Sequence, residues 1–206
     1  MKVSRVQATE NRARIIASAA RLFRERGFAG VGVADIMADA GLTHGGFYGH
    51  FASKDDLIAQ ACTHAMGESE ARWTRRGQRA SEQPLKEIVG RYVSARHRDD
   101  PGHGCAWAAL GSELARQDSG VRATATEGLR IQLDVLERSV KGRTAAERRR
   151  KALATYAEMV GAVMLSRAVD DPALSAEILE AAAANITAGA PSKPCGPLPG
   201  ALALTR

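Results

Sequence analysis

The chain has 206 residues, which suits one or two domains, and 45% of them are apolar, ample for a real core. Aromatics make up only 4% while alanine is frequent, and runs of Val, Ile, Thr and Tyr are scarce, so the composition argues against sheets and for an all-α fold. The formal charge of +6 favours polyanionic partners, and no stretch approaches the ~20 apolar residues of a membrane span.

Up to Lys54 there are eight basic residues and four acids, which places most of the excess charge in the first quarter of the chain. The three cysteines, Cys62, Cys105 and Cys195, are widely spaced and form no CxxC pair, as in a reducing compartment. The N-terminus is polar and basic without an apolar core of the signal-peptide kind, so the expected location is the cytoplasm.

Residues 1–8 read as a flexible basic arm. Thr9 is placed to cap a helix running to about Arg26, with Ile15, Ile16, Ala19, Ala20 and Phe23 as its buried stripe and Gly27 as its end. A second helix is predicted over about Val33–Ala40, followed by a turn at Gly41-Leu42. Thr43 then caps a short third helix ending near His50, with Phe47 and Phe51 turned inward. Ser53-Lys-Asp-Asp56 has the form of a capping box for a long fourth helix bearing Leu57, Ile58, Ala61, Cys62, Ala65 and Met66 on one face. A polar break is expected at residues 77–84, then helices at about 85–98, 104–116, 119–141, 145–169 and 172–187. The last tract, residues 188–206, holds four prolines and no acid, and reads as a disordered tail.

The second and third helices have a helix-turn-helix layout, and the first and fourth supply the apolar faces that such a small pair needs. Thr43, His44, Tyr48, His50 and Lys54 place hydrogen-bond donors on one short stretch, the chemistry that meets a phosphate backbone.

Residues 10–57 resemble the DNA-binding domain of TetR-type (TetR/AcrR) bacterial transcriptional regulators. The matching text is Ile15-Ile16, Ala20, Leu22-Phe23, Gly27-Phe28, Val33, Asp35-Ile36, Ala40-Gly41, Gly45, Phe47-Tyr48, His50-Phe51 and Ser53-Lys54, in continuous register. The resemblance implies a helix-turn-helix domain at residues 9–55 and a helical ligand-binding and dimerisation domain at residues 56–187. It implies a homodimer on a double-stranded palindromic operator, one recognition helix per half-site, released by a small-molecule inducer. Carried over by position, Thr43, Tyr48, His50 and Lys54 contact phosphates, while His44, Gly45 and Gly46 lie nearest the base edges. Where such proteins usually carry Ser or Thr before Val33, this chain has Gly32, so a side-chain cap and phosphate contact are absent. Gly45, Gly46 and Gly49 leave few side chains to read bases, and Lys2 and Arg5 of the arm are expected to add minor-groove contacts.

In the second half, the helices at about 145–169 and 172–187 carry Leu153, Tyr156, Val160, Val163 and Met164, then Leu174, Ile178, Ala182, Ala183 and Ile186. By resemblance this pair forms a four-helix interface with its mate, although burial within one subunit fits the same pattern. A ligand pocket is expected among the helices near residues 85–141, with Tyr92, His97, Cys105, Trp107, Leu110, Leu114, Leu129 and Tyr156 as candidate lining residues. Plain core packing is the alternative for each of them.

Three other readings compete. Cys105 follows His103 and Gly104 near a helix start, where a thiolate is stabilised, so it is a candidate electrophile or redox sensor. The loose group His97, Asp100, His103 and Cys105 raises metal binding or Cys/His catalysis, but its spacing matches no standard zinc pattern. No cofactor, metal or enzymatic activity is therefore expected. Non-specific nucleic-acid binding is the remaining alternative, separable by its salt dependence.

Overall fold

The computed structural model describes residues 4–77 and 82–188. Among these residues the chain is all-α, with no strand. Helix α1 spans Arg5–Arg26 and starts four residues before Thr9, because the Ser4 hydroxyl accepts from Gln7 N at 3.1 Å. The Thr9 hydroxyl instead donates to Arg5 O inside the helix. Arg5 therefore belongs to α1 and not to an arm, and Lys2 lies outside the described residues. Ile15, Ala19, Ala20 and Phe23 are buried as one stripe, and the Gly27 N–H closes the helix on Phe23 O.

Helix α2 covers Val33–Asp39. The chain reverses at Gly41, whose φ of +68° is a conformation that L side chains rarely adopt. The third segment, His44–Gly49, is a 3-10 turn rather than an α-helix. Three glycines in six residues contribute little helix propensity, so one tight turn pinned by the fully buried Phe47 is what forms. Helix α3 spans Lys54–Gly77 and is about 36 Å long at 1.5 Å per residue. The Ser53 hydroxyl accepts from Asp56 N, and the Asp56 carboxylate accepts from Ala52 N, both at 3.1 Å. The reciprocal bond thus goes one residue upstream of the expected box.

Further on come α4 (Pro84–Tyr92), α5 (Ala95–Asp99), a 3-10 turn at Pro101–His103, α6 (Ala106–Leu114), α7 (Ser119–Ser139), α8 (Ala145–Ala168) and α9 (Pro172–Ala188). The helix expected over residues 85–98 is two helices. The Ser94 hydroxyl donates to Arg91 O and accepts from His97 N, so its side chain competes with the backbone ladder and starts a new helix. Asp118, Thr144 and Asp171 cap α7, α8 and α9 with side-chain oxygens. Ala188, expected as the first residue of the tail, is the last of α9; the rest of the tail, with Cys195, lies outside the described residues.

Two apolar clusters organise the packing. The first joins α1, α2, Phe47, Phe51 and the start of α3 to Leu110 and Leu114 of α6 and Val121 and Ala125 of α7. The second joins Trp73 to α4, Leu136 of α7, α8 and α9. Partly buried Trp107 packs against both. Met66 lies against Gly128 and Ser69 bonds Gln132, so α3 and α7 run side by side in the same direction. The end of α7 is therefore level with the far end of α3, away from the 3-10 turn.

Candidate nucleic-acid interface and ligand cleft

The helix-turn-helix residues separate cleanly by exposure. Phe47 is buried and stacks on Phe51 with ring centroids 5.6 Å apart. Tyr48 meets the edge of Phe47 at 5.2 Å, yet is 74% exposed. Thr43, His44, Gly45 and Gly46 are exposed beside it, and His50 is half-buried. A Cβ added at Gly45 or Gly49 would meet nothing within 4 Å, so no internal packing demands glycine there. The Thr43 hydroxyl makes no capping bond and stays available. Lys54 differs from the others: half-buried, its ammonium donates to Phe28 O at 2.7 Å. That bond ties the start of α3 to the α1–α2 connection and holds the lysine at the base of the exposed stretch. At Gly32 the missing side-chain cap is replaced by the Asp35 carboxylate, which accepts from Gly32 N at 2.9 Å.

In the second half, the eight expected ligand contacts do not share one cavity. Tyr92, His97 and Cys105 line a cleft of about 460 Å³ between α3, α4 and the turn before α6. Leu110 and Leu114 belong to the first apolar cluster, against Phe23 and Phe28. Leu129 and Trp107 pack against the second cluster. Tyr156 stands behind the cleft, where its hydroxyl donates to Gln132 Oε1 and lies 3.4 Å from Cys105 Sγ. Gln132 Nε2 in turn donates to Ser69 Oγ at 2.7 Å. Burial pushes the phenols of Tyr92 and Tyr156 well above their ordinary range, and the Cys105 thiol adds to the shift. His97 Nε2 accepts from Cys105 N at 2.9 Å, so its Nδ1 is the donor to Tyr92 O at 2.7 Å. Among the described residues no group of three or more His, Cys, Asp or Glu is placed to hold a metal ion.

Residues of structural consequence that sequence reasoning missed are arginines. Arg24 is buried, and donates from Nε to Gly102 O at 2.7 Å. Arg167 reaches from α8 to His97 O at 2.5 Å and Arg98 O at 3.0 Å, fastening α5. An arginine on a helix gives no signal of a carbonyl that lies 70 or more positions away. The charge reading also overlooked residues 138–151, with seven basic residues against Glu147 alone. That cluster follows the far end of α7 and is no part of the Thr43–Lys54 surface.

The α8–α9 pair divides between inside and outside. Tyr156, Val163, Leu179 and Ile186 are buried within the subunit, while Leu153, Met164, Leu165 and Leu174 are exposed. No helix among the described residues is long and apolar enough to cross a membrane.

Known proteins share these features. Residues 15–61 match the family model for bacterial regulatory proteins of the tetR family. The uncharacterized HTH-type transcriptional regulator YerO of Bacillus subtilis (strain 168) is 32% identical over 94 residues, 46% of this chain and 32% of its own length. The HTH-type transcriptional repressor DhaR of Mycobacterium sp. (strain GP1) is 30% identical over 123 residues, 60% of each chain. The matches therefore span from about a third to 60% of these relatives' lengths. In fold, the chain is similar to Escherichia coli NemR in its reduced form, with a TM-score of 0.70 and 22% identity over 89% of this chain and all of that one. It is equally similar to a TetR-family regulator from Agrobacterium tumefaciens, with a TM-score of 0.70 and 25% identity over 87% of this chain and 99% of the other. The names of these relatives are those of regulators and not of enzymes. The exposed helix-turn-helix surface thus lies within the segment, residues 15–61, that matches the tetR family of bacterial regulatory proteins.

Proposed function

We propose that this chain is a ligand-responsive transcriptional repressor. It binds a palindromic DNA operator as a homodimer in the cytoplasm, and a small-molecule inducer releases it. Residues 9–55, with the start of α1 added, are the DNA-binding domain, and residues 56–187 bind the ligand and the second subunit. The observation that carries the reading is the exposed run Thr43–Tyr48 standing on buried Phe47, next to half-buried His50 and Lys54. Thr43, Tyr48, His50 and Lys54 contact phosphates, and His44, Gly45 and Gly46 approach the base edges. Bare glycine backbone lets the turn come close to the groove. The exposed apolar residues of α8 and α9 support isologous pairing, which matches the two-fold symmetry of a palindrome.

The test is protection of the gene's own upstream DNA. A discrete palindromic footprint is expected. Binding that falls steeply with salt and prefers no site would instead establish a non-specific nucleic-acid-binding protein.

One observation favours a second reading, thiol sensing through Cys105. The thiol lines the cleft, directly before α6, and its proton faces the Tyr156 hydroxyl. Iodoacetamide at neutral pH decides it: labelling no faster than that of a free thiol ends the idea.

A further inference from the structure

We infer that the 460 Å³ cleft takes a small aromatic carboxylate, held by hydroxyl donors at its base and guanidinium groups at its rim. The inference rests on the ligand-responsive reading and names the chemistry of the ligand.

The hydrogen-bond chain behind the cleft has one direction. Tyr156 donates to Gln132 Oε1, so the Tyr156 oxygen is left to accept from the Cys105 thiol. Gln132 Nε2 donates to Ser69 Oγ, and Ser69 lines the cleft. The Ser69 hydroxyl has received its proton from Gln132 and keeps its own to give. Tyr92 Oη, in a residue that also lines the cleft, is buried without a hydrogen-bond partner. Two residues that line the cleft thus carry hydroxyls able to donate. The nearby acceptors already have donors: His97 Nε2 takes the Cys105 N–H, and Asp100 takes both the ring Nδ1 and the backbone N–H of His103.

The rim has the matching charge. Arg72, Arg91 and Arg96 line the cleft, against the single carboxylate of Asp100. Arg72 reaches Glu68 only at 3.9 Å, and Arg91 and Arg96 make no ion pair within 4.0 Å among the described residues. A site with hydroxyls at its base and three guanidinium groups against one carboxylate at its rim is complementary to an anionic acceptor. The walls specify the rest of the ligand. Trp73 and Tyr92 have ring centroids 6.2 Å apart, and a cavity of this volume suits a body of one or two rings.

The test uses the full chain with Trp107→Phe, which leaves Trp73 as the single tryptophan reporter. The probes are benzoate and 1-naphthoate, their amides as neutral isosteres, and benzylamine as the cation. Trp73 fluorescence and calorimetry should show the better carboxylate binding at least ten-fold more tightly than its amide. In R91Q/R96Q, where both arginines are exposed and the melting temperature checks folding, that ratio should fall towards one. Amide or amine binding as tight as carboxylate binding, a preference that survives R91Q/R96Q, or no binding by either carboxylate overturns the inference. Operator release is followed in the same titrations. Carboxylate binding without release keeps the cleft chemistry and removes the induction reading. Release by a neutral or cationic probe alone keeps induction and overturns the carboxylate.

Discussion

The Arg24 guanidinium donates to the carbonyl of Gly102 at 2.7 Å, and so joins the helix that braces the exposed 3-10 turn to the segment that walls the 460 Å³ cleft. Residues flanking Gly102, namely Asp100, His103 and Gly104, line the cleft. Through this bond, any movement of the Pro101–His103 turn would pull directly on α1. Burial lowers the Arg24 pKa while Glu68, at 3.3 Å, opposes the shift. Arg24→Met would remove the bond and leave Gly102 O unpaired, and we expect a loss of about 1–3 kcal/mol in urea unfolding with an unchanged m-value. The variant should also respond more weakly to inducer than the parent chain does. Full induction in a folded Arg24→Met protein would show that this link carries no signal.

Gly102 itself has no room for a side chain. A Cβ there would stand 2.4 Å from Glu25 Oε1 and 2.9 Å from Arg21 Cγ. Gly102→Ala should therefore cost about 1–2 kcal/mol through overpacking. Removing the Glu25 carboxylate frees the tighter of the two approaches, so the cost should shrink in a Glu25→Ala background. Additive losses in the double-mutant cycle would place the strain elsewhere.

Tyr48 is 74% exposed and packs its ring T-shaped against buried Phe47, with centroids 5.2 Å apart. Tyr48→Ala should leave stability within about 1 kcal/mol of the parent. Operator affinity, read by fluorescence anisotropy, should fall about ten-fold, the equivalent of ~1.4 kcal/mol. A lowered melting temperature with unchanged affinity would mark Tyr48 as a packing residue.

What was legible in the chain follows from the range of the interaction. Ser53 capping α3, Gly41 reversing the chain and the stripe Ile15, Ala19, Ala20 and Phe23 all depend on neighbours within a few residues. The break at Ser94 is also local, but a hydroxyl that bonds both Arg91 O and His97 N looks in sequence like any other helix serine. Ser4 and Thr9 both carry hydroxyls, and only the backbone shows that it is Ser4 that meets Gln7 N. Long-range choices were hidden. Nothing near Lys54 announces that its ammonium bonds Phe28 O, and nothing near Leu110 or Leu114 tells that they side with the first cluster and not with the cleft.

The α8–α9 surface offers a direct measure of assembly. Leu165 is 57% exposed, and Leu153, Met164 and Leu174 are each more than 40% exposed on the same two helices. Leu165→Glu places a charge in that apolar face without disturbing the subunit interior. Sedimentation should show a folded monomer with unchanged helicity, whose operator affinity falls as the two half-sites lose their linkage. A dimer that persists with Glu at this position would locate the interface elsewhere.

The two described cysteines should part company in their reactivity. Burial pushes the Cys62 thiol up to about 12, so at pH 8 only about one molecule in ten thousand carries the thiolate, the reactive form. A raised pKa starves the nucleophile at every pH below it, and raising the pH towards 9 gains only a factor of about ten. In a Cys195→Ser background, iodoacetamide should therefore leave Cys62 unmodified until the fold opens, and urea should expose it at the unfolding midpoint. Cys105 lines the cleft, and bound carboxylate should shield whatever labelling it undergoes. Mass spectrometry after a short pulse distinguishes the sites, and modification of Cys62 in the native protein would mean that the first apolar cluster opens far more readily than its packing of α1 against α3 implies.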